Sequence, residues 1–227
     1  LSHELRTPMS NIKMAIHMLN QFPLEVRQKR YVDILGAECE RETELINDLL
    51  DLQRLEAGVN PVGVEDLRLQ DLLPKTLDPF QSRLQEREQQ FIVECGPTLP
   101  SIKSDRACLE RILAELLNNA CKYTAQGGEV SLRIEFVPTP QEIMRFMIAN
   151  QAEIPEHELP RIFDKFYRVP NSDPWKQGGT GLGLALVKRL VEQLQGNIKA
   201  QSTQGMTTFT VELPICPSFS TGFQPIS

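Results

Sequence analysis

Gly178–Val191 reads GGTGLGLALVKRLV. Four glycines, Gly178, Gly179, Gly181 and Gly183, run into a stretch whose Leu186, Val187, Leu190, Val191 and Leu194 share one helical face. A glycine-rich turn opening a helix offers backbone N–H groups and the positive end of the dipole to an anion. Two familiar phosphate patterns do not fit. No Gly-Lys-Ser/Thr follows, so this is not a P-loop. A GxGxxG begun at Gly179 would need glycine at position 184, which is leucine, and the preceding segment reads as loop rather than strand. Taken alone, the run has a flexible connector as its alternative reading.

Upstream, Glu115–Thr124 reads ELLNNACKYT. Glu115 and Asn119 are four apart and share a helix face, with Lys122 and Tyr123 one turn on. A neutral amide oxygen such as that of Asn119 suits Mg²⁺, which keeps most of its waters and takes its remaining bonds from phosphate oxygens. Glu115 is placed to orient one of those waters, Lys122 to bring charge to the phosphates and Tyr123 a hydroxyl or ring edge. Asn118 is the alternative to Asn119, about 100° further round the helix. A solvated polar face explains each residue singly, but not their coincidence with a glycine-rich helix start.

The surrounding pattern sets the architecture. Met9, Ile12, Ile16 and Leu19 repeat at helical steps until Phe22-Pro23, and Ile34 to Leu55 carry a second apolar stripe ending at Gly58. These predict an antiparallel helical hairpin over 1–58, too small to bury its stripe alone; pairing with a second copy, the favoured reading, would make a four-helix bundle, and packing on its own downstream domain is the alternative. After a linker at 59–68, residues 69–214 alternate helices (DLLPKTLDPFQSRLQEREQ, DRACLERILAELLNNACKYT with Asp105 as N-cap, a short HELPRIFDKFY, LGLALVKRLVEQLQG) with strands (QFIVECG, EVSLRIEFV, IMRFMIAN, NIKAQS, TTFTVEL). The fold expected is α plus α/β: the hairpin, then one layer of helices on one mixed sheet. The Pro/Ser-rich tail 215–227 is expected to be loose.

Bulk properties narrow the partners. A net charge of −6 argues against duplex nucleic acid, and no apolar run approaches the roughly 18 residues of a membrane span. Five scattered cysteines without a CxxC predict reduced, mostly buried thiols in a cytoplasmic setting. A helix beginning without a cap at Leu1 suggests a fragment of a longer protein, any membrane tether of which would lie upstream.

SHELRTP (2–8), ELLNNACKYT, RIFDKFYR (161–168) and GGTGLGLALVKRLV resemble, in order, the H, N, F and G2 boxes of sensor histidine kinases of two-component systems. GNIKAQSTQGMTTFTVELP is similar to the family's closing strand pair, so the resemblance covers Leu1 to Pro214. It implies a homodimeric hairpin with an acceptor histidine and an ATP-binding domain of the gyrase type, with Mg²⁺ as cofactor. The final acceptor would be an aspartate in a response-regulator receiver domain. His3 then resembles the phospho-acceptor, suited to it because an imidazole is largely unprotonated near neutral pH. Glu4 resembles the acid that holds the other ring N–H. Thr7, four residues on, resembles the residue that positions the regulator's chemistry or a water in a reverse phosphatase reaction. Pro8 leaves the Glu4 carbonyl without a helical partner and predicts a bend. His17 and His157 lack such context and read as structural or surface residues.

By the same resemblance the nucleotide would be held by Asn119, Lys122, Tyr123 and the segment Gly179, Thr180, Gly181, Leu182 and Gly183. Phe163 and Phe166 would brace a lid over Arg168–Gln177, core packing being their alternative; Trp175 falls within that lid. One box departs from the family. Its Asp-x-Gly-x-Gly, whose aspartate accepts the adenine amine, is replaced by IANQAEIPEHELP. Counted back from Ile154 without a gap the aspartate position falls on Ala149; with one residue deleted it falls on Asn150, a neutral acceptor. An ATP-dependent kinase, a degenerate nucleotide-binding dimeric scaffold and a gyrase-like ATPase with Glu115 as base are the three readings to separate. The last leaves the His3 helix unexplained.

Overall fold

The computed structural model describes residues 2–58, 62–96, 98–138, 142–170 and 180–217, with side chains from Met9 onward. The chain divides into two compact units, Leu1–Asn60 with Ile162–Leu186 and Pro61–Arg161 with Val187–Ser227.

The first unit is built on helices α1 (Ser2–Leu19) and α2 (Val26–Glu56). Glu25 and Gln28 form a reciprocal capping box that starts α2, and Gly58, at φ +64, follows its end, as the glycine stop predicts. The Cys39 thiol lies 3.8 Å from the Met9 carbonyl, and Ile16 lies 3.8 Å from where Gly36 would carry a Cβ. As the chain advances along α1 its partner on α2 recedes, so the two helices are antiparallel. Ile12, Met14, Met18, Leu19, Ile34 and Leu35 stay exposed, apolar side chains that the hairpin does not cover.

The second unit carries β1 (Val64–Leu67), α3 (Leu69–Glu86), β2 (Gln90–Cys95), β3 (Ile102–Asp105), α4 (Arg106–Tyr123), β4 (Glu129–Val137), β5 (Ile143–Asn150), β6 (Asn197–Thr203) and β7 (Met206–Pro214). Helix α5 (Gly183–Gln193) precedes β6. Five strands make one mixed sheet in the order β2-β4-β5-β7-β6, with only β2 and β4 parallel. Strict alternation along β5 sends Met144, Phe146, Ile148 and Asn150 to the buried face. Helix α4 returns Leu109, Ile112, Leu113, Leu116 and Leu117, none of them accessible, and α3 adds Leu69, Leu72 and Leu84. Burial of such side chains is the main favourable term in the fold.

Three expectations are corrected. The stretch read as linker contains β1, which pairs antiparallel with β3; its four residues are too few and too polar to show an alternation. HELPRIFDKFY forms only a 3₁₀ turn, Leu159–Arg161, followed by turns, with Phe166 at φ +63. The thiols are free but not mostly buried: Cys39 and Cys121 are, Cys108 is half-buried, and Cys95 and Cys216 are exposed. Among the described residues no helix is long and apolar enough to cross a membrane. Phe146 is fully buried, so Phe146→Ala should lower stability by about 3–5 kcal/mol in a urea titration of the chain.

Candidate active site

Helix α4 is fixed at both ends. Asp105 accepts from the Cys108 N–H through one carboxylate oxygen (2.9 Å) and from Gly63 N–H through the other (2.7 Å). At the C-terminus, the Arg87 guanidinium donates to the carbonyls of Cys121 (2.7 Å) and Thr124 (3.3 Å). The Gln89 amide donates to the same two carbonyls, at 3.0 and 2.8 Å. Glu88 between them takes φ +53, which turns both side chains toward the helix end. Carbonyls left unsatisfied by the end of a helix are thereby paired.

With its apolar stripe against the sheet, α4 directs its polar residues elsewhere. Asn118 is engaged: its Oδ1 accepts from Arg83 at 2.9 Å. Asn119, half-buried, has no such bond to its amide among the described residues, which leaves the oxygen available to a hard cation. Glu115 pairs with Arg111, one turn earlier, at 2.9 Å. The Lys122 ammonium lies 4.8 Å from the centroid of the Tyr123 ring.

The register of β5 separates Ala149 from Asn150. Asn150 lies on the helix-facing side, 3% exposed, and its amide nitrogen donates to Thr124 Oγ1 at 3.3 Å; Ala149 points to the opposite face. The segment that follows is tied down by hydroxyls rather than opened by glycines. Thr207 donates to the Ala152 carbonyl (2.8 Å) and lies 3.0 Å from Ser202 Oγ, which accepts from Ile154 N–H (2.9 Å).

In the first unit Phe166 and Gly181 meet backbone to backbone. Phe166 N–H donates to the Gly181 carbonyl at 2.9 Å. Gly181 takes φ +72, and a Cβ there would stand 2.8 Å from the Phe166 carbonyl carbon. Phe166 is exposed, so the core-packing alternative does not describe it; Ile162 is the buried residue of that segment, and Phe163 is half-buried. Thr180 Oγ1 donates to Asp48 (3.4 Å) and accepts from Leu182 N–H (3.2 Å), and Leu182 is fully buried ahead of Gly183 and α5. Gly179 and Trp175 lie outside the described residues, as does most of the expected lid. His3, Glu4 and Thr7 fall within α1, His3 and Thr7 one turn apart; their side chains are outside the description. His17 is exposed beside Gln21, and His157, also exposed, pairs with Glu158.

Sequence reasoning missed Arg83, Arg87, Gln89 and Thr124. Thr124 directly follows the Asn-Lys-Tyr run and was within reach; the other three become visible only once α3 and its following turn are placed beside α4.

Two family models match the chain: "His Kinase A (phospho-acceptor) domain" over residues 1–58 and "Histidine kinase-, DNA gyrase B-, and HSP90-like ATPase" over 104–217. The chain belongs to the histidine kinases. Its relatives among these kinases include the circadian input-output histidine kinase CikA of Synechococcus elongatus. The two are 37% identical over 94% of this chain and 29% of CikA. Full-length ShkA, crystallised with AMPPNP, superposes with a TM-score of 0.82 at 27% identity, over 96% of this chain and 45% of that one. Histidine kinase ThkA, in complex with response regulator protein TrrA, superposes with a TM-score of 0.68 at 21% identity, over 94% and 59%. The chain thus spans less than a third of CikA and less than half of ShkA.

Both cysteines of α4, Cys108 and Cys121, are biased toward the protonated thiol. Burial, then the neighbouring Asp105 charge and hydrogen bond, push the Cys108 thiol up to about 12. Burial also raises Cys121, against the pull of Arg83 and Arg87. A raised thiol stays protonated below its pKa, so at pH 8 iodoacetamide should alkylate the exposed Cys95 and Cys216 while Cys108 stays unmodified by mass spectrometry.

Proposed function

We propose that this kinase phosphorylates its own His3 from ATP and passes the phosphoryl group to an aspartate of a response-regulator receiver domain. One observation carries this: a phospho-acceptor match at 1–58 and an ATPase match at 104–217 occur in one chain. ShkA's complex with AMPPNP and ThkA's with TrrA support the nucleotide and the partner. The exposed apolar side chains of the hairpin, Ile12 and Leu19 on one side of α1 among them, support a homodimer in which two hairpins close a four-helix bundle.

In this reading the unprotonated ring nitrogen of His3 attacks the γ-phosphorus. The P–N bond forms as the bond to the β,γ-bridging oxygen breaks, and ADP leaves. Glu4 holds the N–H of the other ring nitrogen, and Thr7 faces the incoming regulator or, in the reverse phosphatase reaction, a water. Asn119 would hold Mg²⁺, and Glu115 would orient a water beside it. When bound, the ion neutralises charge on the phosphate oxygens, which is most of what phosphoryl transfer asks of a protein. Lys122 and the N–H groups of 179–183 meet the same oxygens, Tyr123, Phe163 and Phe166 border the nucleotide, and Asn150 accepts the adenine amine. A scaffold without activity draws only on the altered box, and the placement of Asn150 on the helix-facing side supports its use as the substitute acceptor.

His3→Gln should abolish acid-labile, alkali-stable labelling by γ-labelled ATP while leaving ATP binding intact; label retained by that variant would move the acceptor elsewhere. Asn119→Ala should weaken Mg²⁺-ATP binding about ten- to a hundredfold in a calorimetric titration, whereas Asn118→Ala should stay close to wild type. Equal losses at both positions would contradict the metal assignment.

A further inference from the structure

An asparagine in place of an aspartate creates a problem that the carboxylate does not have. A carboxylate accepts through either oxygen, but an amide presents an acceptor one way round and a donor the other. Its orientation therefore decides which nucleobase it recognises. Asn150 is buried, so its surroundings rather than solvent set that orientation.

Thr124 is the group that sets it. Its hydroxyl has a single hydrogen, and that hydrogen is donated to the Ala120 carbonyl at 2.7 Å. Toward Asn150 the oxygen can then only accept, and it does so from the Asn150 amide nitrogen at 3.3 Å. A flipped amide would set two acceptor oxygens against each other. Thr124 cannot drift from this position. It is 1% exposed, its carbonyl is held by Gln89 and Arg87, and its methyl group closes on Gly128, where a Cβ would approach it to 2.7 Å. Asn150 Oδ1 is thus turned away from Thr124, with no donor to it among the described residues.

Resting on the nucleotide reading above, we propose that Thr124 is the positioning residue that sets base specificity. Its hydroxyl fixes the Asn150 amide with the carbonyl presented to the base, so the site takes a 6-aminopurine triphosphate and discriminates against a 6-oxopurine one. With the amide reversed, the donor would face the base and the preference would weaken or invert. A site built to pair one polar group penalises the analogue that leaves it unpaired.

The test measures dissociation constants of the Mg²⁺ complexes of ATP and inosine triphosphate for the whole chain. The variants are Thr124→Ser, Thr124→Val, Asn150→Asp and the double variant Thr124→Val with Asn150→Asp, each checked for native far-UV dichroism. Wild type and Thr124→Ser should prefer ATP, and Thr124→Val should reduce the preference about tenfold. In the Asn150→Asp background, where no amide needs orienting, the valine substitution should change the ratio by less than about twofold. Thr124→Ala repeats the comparison if the valine variant does not fold. An unchanged ratio in Thr124→Val, or an equal fall in both backgrounds, overturns the role of Thr124 while leaving ATP binding in place. Absence of ATP binding by the wild type overturns the nucleotide reading and this inference together.

Discussion

The rotational phase of α4 governs the second unit. Leu109, Ile112, Leu113, Leu116, Leu117 and Ala120 are all but inaccessible, and together they leave the helix one way to lie on the sheet. That choice decides which of two adjacent asparagines meets Arg83 and which keeps its amide unspent. A rotation of one residue would cost the burial of several leucines, far more than any polar contact on the other face could return. The chemistry on α4 is therefore held in place by residues that take no part in it.

Much of the fold was legible because most elements are long and periodic. The alternation along β4, β5 and β7, the stripe of α5 and the capping aspartate of α4 are strong local signals, and the structure has them where the sequence puts them. The two short strands β1 and β3 were not legible, since their pairing joins residues nearly forty positions apart and neither strand alternates clearly. The stretch after His157 failed for a different reason. It has helical composition, yet it makes one 3₁₀ turn and then reverses at a left-handed Phe166, where tertiary context overrides propensity.

For the site, the sequence marks residues that carry charge or an amide but not what holds them. Asn118 and Asn119 are indistinguishable as letters; only the reach of Arg83 from α3 separates them. Ala149 and Asn150 differed by the choice of a gap, and strand register shows which of them faces the helices. Arg87 and Gln89 sit in a polar run that reads as an ordinary solvated turn, yet their donors finish a helix more than thirty residues away. Such contacts are tertiary, and no local pattern announces them.

The junction of Phe166 with Gly181 has a consequence for how the two positions tolerate change. Contact is made by main-chain atoms, so the ring at 166 adds nothing to it, and glycine or asparagine there would relieve a left-handed backbone. Position 181 has the opposite character: any side chain would drive into the Phe166 carbonyl carbon. In a saturation library scored for folding rather than for nucleotide binding, the aromatic residue should prove replaceable and the glycine intolerant, with the permissive site and the closed one joined by a single hydrogen bond.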